Sequence, residues 1–123
     1  MQSTVKKYTR GVDHDNRKSC STANRYYNSQ DIEGFASTYA NDITVYTFPD
    51  NTITLSGKQA LIERYTETFK KKMFAEIKNR SIVGNKVIDW EIATNGLTGE
   101  STSLMAIYEI EDHLISKVWF IRE

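Results

Sequence analysis

The second half of the sequence contains four segments in which polar and apolar residues alternate. They cover residues 75–83, 86–94, 103–111 and 114–122. A period of two indicates β-strands, and the connections Gly84-Asn85, Asn95 to Gly99 and Asp112-His113 are typical of turns. Since connections this short join antiparallel neighbours, the four segments predict an antiparallel meander and exclude a parallel sheet of alternating strands and helices.

Two longer helices are predicted before this meander. Residues 14–28 carry a broken helical periodicity, and residues 58–72 place Leu61, Tyr65 and Phe69 on one helical stripe. An apolar stripe of this kind packs against a core, so both helices are expected to cover one face of the sheet.

A short helix and a hairpin are predicted between the two longer helices. Asp31 can accept hydrogen bonds from the first free N–H groups of a helix that starts at Ile32. Residues 44–48 and 52–55 are β-branched and aromatic, and Pro49-Asp50-Asn51 between them is a turn sequence. The chain is therefore predicted to be an α+β domain with three helices against one mainly antiparallel, mixed-order sheet.

The length and charge of the chain restrict its class. With 123 residues it fits one domain, predicted over residues 13–123 behind a flexible N-terminal end at residues 1–12. Sixteen basic and sixteen acidic residues give a formal net charge of zero, which argues against nucleic acid as a partner. Because no secretory or membrane-spanning run is visible and Cys20 has no disulfide partner, we expect a cytoplasmic protein without membrane association.

The chain resembles a known superfamily over roughly residues 26–121. The matching runs are YNSQDIEGFASTYANDITVYTFP, SGKQALIERYTETF, AEIKNRSIVGNKVIDWE and AIYEIEDHLISKVWFI. They are similar to the SnoaL-like branch of the nuclear transport factor 2-like superfamily, which includes ketosteroid isomerases. The resemblance implies a cone, with three helices in the hollow of a strongly curved sheet, an open cavity and usually a homodimer through the sheet. Members include isomerases, polyketide cyclases, dehydratases and noncatalytic modules, so the fold leaves the chemistry open.

Two acids on one predicted strand are the main candidate site residues. In VIDWE, Asp89 and Glu91 share one face of the strand. The opposite face carries Ile88, Trp90 and Ile92. If the acids face solvent, they are ordinary surface charges. The resemblance instead places them on the cavity side, with Trp90 and its apolar neighbours covered by a twofold-related chain.

Arg80 is the predicted partner of these acids. A carboxylate in a partly dry cavity needs a donor or remains protonated, because desolvation penalises the charged form. Arg80 lies on the preceding strand of the same hairpin, within cross-strand reach of Asp89 or Glu91. Such a pair would be either a structural ion pair or a clamp for a ligand.

Four aromatic residues are further candidates for ligand contact. The resemblance places Tyr108 and Trp119 inside the cone, with Tyr108 where isomerase members carry a protonated aspartate that donates to the substrate oxygen. A phenol can donate the same hydrogen bond. Tyr46 and Tyr65 are further candidates for the same contact. The alternative for all four is a place in the core, with the polar tips bonded to protein.

The ketosteroid isomerase mechanism is not expected here. The general base of those enzymes falls on Thr47 or Phe48 in this chain, and their catalytic tyrosine falls near Ala23. None of these side chains can take that role. Acid–base chemistry would depend on Asp89 or Glu91, and it would suit proton abstraction beside a carbonyl or elimination of water.

Two functions remain open at this stage. One is binding of a small, largely apolar molecule with a carbonyl or hydroxyl group, with or without an isomerase, cyclase or dehydratase reaction. The other is a noncatalytic, dimeric association module whose cone is filled by its own side chains. No cofactor and no metal site are predicted, because His14 and His113 lie far apart and no glycine-rich phosphate loop is present.

Overall fold

The computed structural model describes residues 10–123, with side chains from residue 15 onward. Within this part of the chain there are three helices and six strands. They are α1 (Arg10–Asn28), α2 (Ile32–Ser37), β1 (Tyr39–Thr47), β2 (Ile53–Ser56), α3 (Lys58–Phe69), β3 (Met73–Val83), β4 (Lys86–Asn95), β5 (Ser101–Glu111) and β6 (Leu114–Arg122). Helix α1 begins inside the segment predicted as a flexible end, and residues 1–9 of that segment lie outside the described residues.

The six strands form one mixed sheet in the order β2-β1-β6-β5-β4-β3. All neighbouring pairs are antiparallel except β1 and β6, which are parallel. The hairpin β1–β2 and the meander β3–β6 are therefore joined through the last strand. The predicted α+β architecture, with its hairpin, meander and mixed order, is confirmed.

The helices cover one face of the sheet, which we call the inner face. Helix α2 begins where predicted, because Asp31 Oδ1 accepts a hydrogen bond of 2.9 Å from the N–H of Gly34. Buried side chains from α1 and α3, including Cys20, Ala23, Leu61 and Phe69, join the core formed with the inner face. No helix within residues 10–123 has the length and apolar character required to cross a bilayer.

The C-terminal end of α1 is fixed to the edge strand β3 by a side chain. The amide of Asn28 accepts a hydrogen bond of 2.7 Å from the N–H of Ala75 and donates one of 3.0 Å to its carbonyl. Asn28 thus makes both hydrogen bonds that a residue of a neighbouring strand would make at this position. The contact orients α1 over β3 and covers part of an edge.

A β-bulge in β3 allows Ile77 and Arg80 to share the inner face although they are three residues apart. Ile77 is opposite Glu91 and Asn79 is opposite Trp90, so Lys78 is the extra residue of the bulge. The extra residue shifts the alternation of the strand by one position. Arg80, two residues after Lys78, therefore lies on the same face as Ile77 and directly opposite Asp89.

A second bulge makes the predicted orientation of Trp119 wrong. Simple alternation places Trp119 on one face with Lys117 and Ile121, and the resemblance directs that face inward. However, Ile115 is opposite Ile110 and Lys117 is opposite Glu109, so Ser116 is an extra residue. Beyond it the alternation is reversed, and the residues on the inner face are Val118 and Phe120.

Trp119 therefore lies on the outer face, where it packs against Tyr46. The two rings are stacked, with centroids 5.1 Å apart and an interplanar angle of 14°. The indole Nε1 donates a hydrogen bond of 2.9 Å to Oδ1 of Asn51 in the β1–β2 connection. Trp119 thus stabilises the outer side of the parallel β1–β6 pair, and it does not line the interior.

Trp90 also lies on the outer face, in agreement with the predicted parity of β4. It is 41% exposed, and its cross-strand neighbour Met105 is 38% exposed. Ile88 and Ile107 form the adjacent pair on the same face. The outer face consequently carries an exposed apolar patch on β4 and β5.

Candidate functional site

The helices and the inner face enclose an open cavity of about 430 Å³. All nine helices and strands of the described chain contribute to its lining. Apolar and aromatic side chains make up most of the wall, and polar side chains reach it from every element except α2 and β3. A cavity of this size and composition is typical of small-molecule sites.

One wall of the cavity is aromatic. Tyr27, Phe35 and Tyr65 line it, and these three rings contact one another and the buried Phe69, with ring centroids between 4.8 and 6.2 Å apart. Tyr65, a predicted site residue, is therefore part of this wall. Burial raises the pKa of both Tyr27 and Tyr65, so their hydroxyl groups remain protonated donors at neutral pH.

Asp89 and Arg80 form a buried, two-point ion pair. Arg80 Nε donates to Asp89 Oδ1 over 2.7 Å, and Nη2 donates to Oδ2 over 2.8 Å. The side chains are 1% exposed for Asp89 and 8% for Arg80. Arg80 Nη1 also donates to Oγ of Ser21 over 2.7 Å and to the carbonyl of Arg17 over 3.2 Å. Both oxygens of Asp89 are occupied, and the pair connects β3 and β4 to α1.

Glu91 has one oxygen bound and one facing the cavity. Oε2 accepts a hydrogen bond of 2.8 Å from the hydroxyl of Tyr108, while Oε1 has no hydrogen-bond partner among the described residues. Burial raises the pKa of Glu91 to about 7, against the opposing effect of the Tyr108 hydrogen bond. The carboxyl group can therefore gain or lose a proton near neutral pH.

Tyr108 lies in the cavity wall as predicted, but its proton is already shared. Its hydroxyl donates to Glu91, and burial raises its pKa well above the usual value. In this arrangement the phenol offers a ligand its oxygen lone pair, whereas the sequence suggested a free donor. Glu91 and Tyr108 together form the polar end of the cavity.

The predicted site residues are thus only partly brought together. Asp89, Glu91, Tyr65 and Tyr108 line one cavity, and Arg80 is behind Asp89. Tyr46 borders the cavity, although its ring stacks on Trp119. Trp119 is excluded from the lining by the bulge in β6.

Several lining residues were missed by sequence reasoning. Cys20, Tyr39, Arg64 and Arg122 all contribute to the wall. Burial raises the pKa of the Cys20 thiol to about 12, so the thiol is protonated and unreactive at neutral pH. Arg122 alternates with Val118 and Phe120 on the inner face, and the bulge at Ser116 concealed that pattern.

The SnoaL-like domain family matches residues 22–118, which include every strand up to most of β6. The chain belongs to this family. A search of the curated proteins found no significant match. Three solved structures share the SnoaL-like chain's fold at low sequence identity, with TM-scores between 0.72 and 0.78.

The first of these structures is an uncharacterized cystatin-fold protein from Novosphingobium aromaticivorans, with 26% identity and a TM-score of 0.78 over 87% of the SnoaL-like chain and 97% of its own. A candidate ketosteroid isomerase from Kribbella flavida has 16% identity and a TM-score of 0.76, over 89% of this chain and 78% of its own. A candidate polyketide cyclase from Sinorhizobium meliloti has 16% identity and a TM-score of 0.72, over 85% and 94%.

Proposed function

We propose that the cavity binds a small, largely apolar molecule with a carbonyl or hydroxyl group, and that Glu91 exchanges a proton with it. The observation that carries this proposal is the free Oε1 of a buried carboxyl group that faces a cavity of about 430 Å³. The open cavity supports binding over an association module with a filled interior. Isomerisation, cyclisation and dehydration all require such a proton transfer.

Glu91 is a better proton carrier than Asp89 for two reasons. Both oxygens of Asp89 are held by Arg80, whereas Oε1 of Glu91 is open to a ligand. The pKa of Glu91, raised by burial to about 7, also matches the pH at which a general base or acid works best. The isomerase base matches Thr47 or Phe48 and the isomerase tyrosine falls near Ala23. Thr47 and Ala23 line the cavity, and none of the three side chains is a general base.

Binding and proton transfer can be tested with acetophenone, an apolar ketone. We expect it to raise the melting temperature, because a ligand at 100 times its Kd adds about 2.7 kcal/mol of stability. In heavy water, abstraction of a methyl proton by the Glu91 carboxylate gives the enolate and a protonated carboxyl group. That proton exchanges with the heavy water, and return of a deuteron from the carboxyl group to the enolate carbon labels the ketone and restores the carboxylate. Deuterium incorporation is followed by NMR and should exceed the rate in buffer alone.

Glu91→Gln should retain binding and lose the exchange. The matched control is Thr102→Val, which also lines the cavity but carries no ionisable group and should retain the exchange. A Glu91→Gln variant that exchanges deuterium at the wild-type rate overturns the role of Glu91. Absence of ligand-induced stabilisation by acetophenone and by related apolar alcohols overturns the binding proposal itself.

A second proposal concerns assembly: we propose that the chain forms a homodimer through the outer face of the sheet. The supporting observation is the exposed pair of Trp90 and Met105 on β4 and β5 of that face, next to Ile88 and Ile107. An isologous twofold contact would cover this patch with the same patch of a second copy.

Sedimentation equilibrium tests the dimer. Trp90→Lys introduces a charge into the centre of the patch and should give a monomer at concentrations where the wild type is dimeric. Leu97→Lys is the control, since Leu97 is 67% exposed in the connection between β4 and β5 and belongs to neither strand of the patch. A monomeric wild type at micromolar concentration overturns the proposal, as does a Trp90→Lys variant that remains dimeric.

A further inference from the structure

Two arginines lie at the mouth of the cavity. Arg64 on α3 and Arg122 on β6 both line the cavity and are both exposed to solvent. Neither forms an ion pair with another side chain in the described part of the protein. Burial raises the pKa of Tyr65, and the charges of Arg122 and Arg64 both oppose that rise, so both act at the same hydroxyl group.

Arg122 is in register with the polar end of the cavity. Four residues lie in one cross-strand row on the inner face: Ile77, Glu91, Leu104 and Arg122. Adjacent strands are about 4.8 Å apart, so the Cα atoms of Glu91 and Arg122 are separated by roughly 10 Å. The buried Leu104 lies between them. Across the three strands the row therefore presents the carboxyl group of Glu91, the apolar side chain of Leu104 and the permanent positive charge of Arg122.

Both guanidinium groups are held at the mouth by contacts that leave donors free. Arg64 Nη2 donates to the carbonyl of Thr54, and the guanidinium carbon of Arg122 lies 4.6 Å from the ring centroid of Phe120. The carboxylate next along the chain, Glu123, accepts from Oγ1 of Thr102 over 3.4 Å and pairs with neither arginine. A guanidinium has five N–H donors, so each retains several for a ligand.

We propose that the ligand of this cavity is an amphipathic carboxylic acid whose carboxylate binds Arg64 and Arg122 at the mouth. Its apolar body lies over Leu104 and the aromatic wall, and its neutral oxygen meets Glu91 and Tyr108. A carboxylate matches the fork of N–H donors on arginine. The inner end has to be neutral, because a second anion there would face Glu91 and Asp89 in a poorly hydrated space. This inference rests on the proposed function and specifies its ligand class.

Three probes with the same apolar body and different end groups test the charge preference. They are 2-naphthylacetate, 2-naphthylethanol and 2-naphthylethylamine, each titrated into the whole protein by calorimetry. We expect the anion to bind more tightly than the alcohol, and the alcohol more tightly than the amine. The preference for the anion should decrease at high salt, because the arginines are exposed.

The arginines are tested by Arg64→Gln and Arg122→Gln. Each should weaken binding of 2-naphthylacetate by about fivefold, the upper range for a solvent-exposed ion pair, and leave binding of the alcohol unchanged. Lys71→Gln removes the same charge from an exposed residue outside the cavity and is the matched control. Retained binding of the alcohol shows that each variant keeps an intact cavity.

The possible failures are distinguishable. If the alcohol binds but the anion binds no more tightly, or if the arginine variants bind the anion as the wild type does, the carboxylate inference is wrong and the binding proposal stands. Tightest binding of the amine also overturns the inference. If none of the three probes binds, the proposed function and this inference fall together.

Discussion

Arg80 holds both oxygens of Asp89, at 2.7 and 2.8 Å, in a pair from which water is almost excluded. Removal of the guanidinium leaves a buried charge without a partner, and such losses cost about 3–5 kcal/mol. We therefore expect Arg80→Met to lower the free energy of unfolding by that amount, measured by urea denaturation at neutral pH.

The matched control for this change lies two residues away on the same strand. Lys78 pairs with Glu76 over 3.5 Å, but its side chain is 40% exposed. Exposed ion pairs contribute about 0–1 kcal/mol, so Lys78→Met should alter stability very little. Equal effects of the two substitutions would contradict the structural importance assigned to the buried pair.

The raised pKa of Glu91 predicts a specific dependence of stability on pH. The folded protein holds this proton up to about pH 7, whereas the unfolded chain releases it near pH 4.5. The folded state therefore binds more protons in this interval, and the contribution to stability falls as the pH rises from about 4.5 to about 7. Above that range the loss is complete and the contribution is constant.

Glu91→Gln removes this titration and keeps an acceptor for Tyr108. The free energy of unfolding of the variant minus that of the wild type should be about 2–4 kcal/mol larger at pH 8 than at pH 5. Denaturation of both proteins at the two pH values measures this difference, and the remaining titrating groups cancel in the comparison. A difference that is independent of pH would show that Glu91 has an ordinary pKa.

Trp119 should affect stability without affecting the cavity. Trp119→Ala removes the stack on Tyr46 and the hydrogen bond to Asn51 on the outer face, at a cost of about 1–3 kcal/mol. Affinity for 2-naphthylethanol should not change, because the side chain does not line the cavity. Calorimetric titration of the variant checks this, and a large loss of affinity would place Trp119 inside after all.

Asn28 supports the edge of the sheet through two hydrogen bonds to Ala75. Asn28→Ala removes both and exposes the backbone of β3 at that point, so we expect a loss of about 1–3 kcal/mol. Amide hydrogen exchange should accelerate at Ala75 in particular. Ser29→Ala, which removes one exposed bond within the helix end, is the control and should leave exchange at Ala75 unchanged.

Sequence patterns were sufficient to predict the helices and strands, and, with the resemblance, the position of the two acids on β4. Turn residues and alternation placed the meander, and the parity of β4 put Asp89 and Glu91 on one face. The resemblance to the superfamily directed that face inward, where both acids are buried. The same reasoning failed for Trp119, because period-two counting assumes an unbroken strand. A bulge depends on how two distant strands fit together, and no local pattern reveals it.

The hydrogen-bond partner of a polar side chain could be predicted only where both residues belong to one hairpin. Hairpin geometry brought Arg80 to Asp89, because both residues are counted from the same turn. The hydrogen bond between Tyr108 and Glu91 depends instead on two side chains that occupy one enclosed space. Arg64 comes to the cavity mouth from a helix, through packing alone, so its role was not visible in the sequence.

The parallel pairing of β1 with β6 has a consequence for synthesis of the protein in the cell. Until residues 114–122 have left the ribosome, the hairpin β1–β2 and the strands β3–β5 share no strand-to-strand hydrogen bond. A nascent chain therefore carries two unjoined sheet fragments whose largely apolar inner surfaces are open to chaperones and to other nascent chains. Insertion of the final strand between the two fragments is the event that closes them.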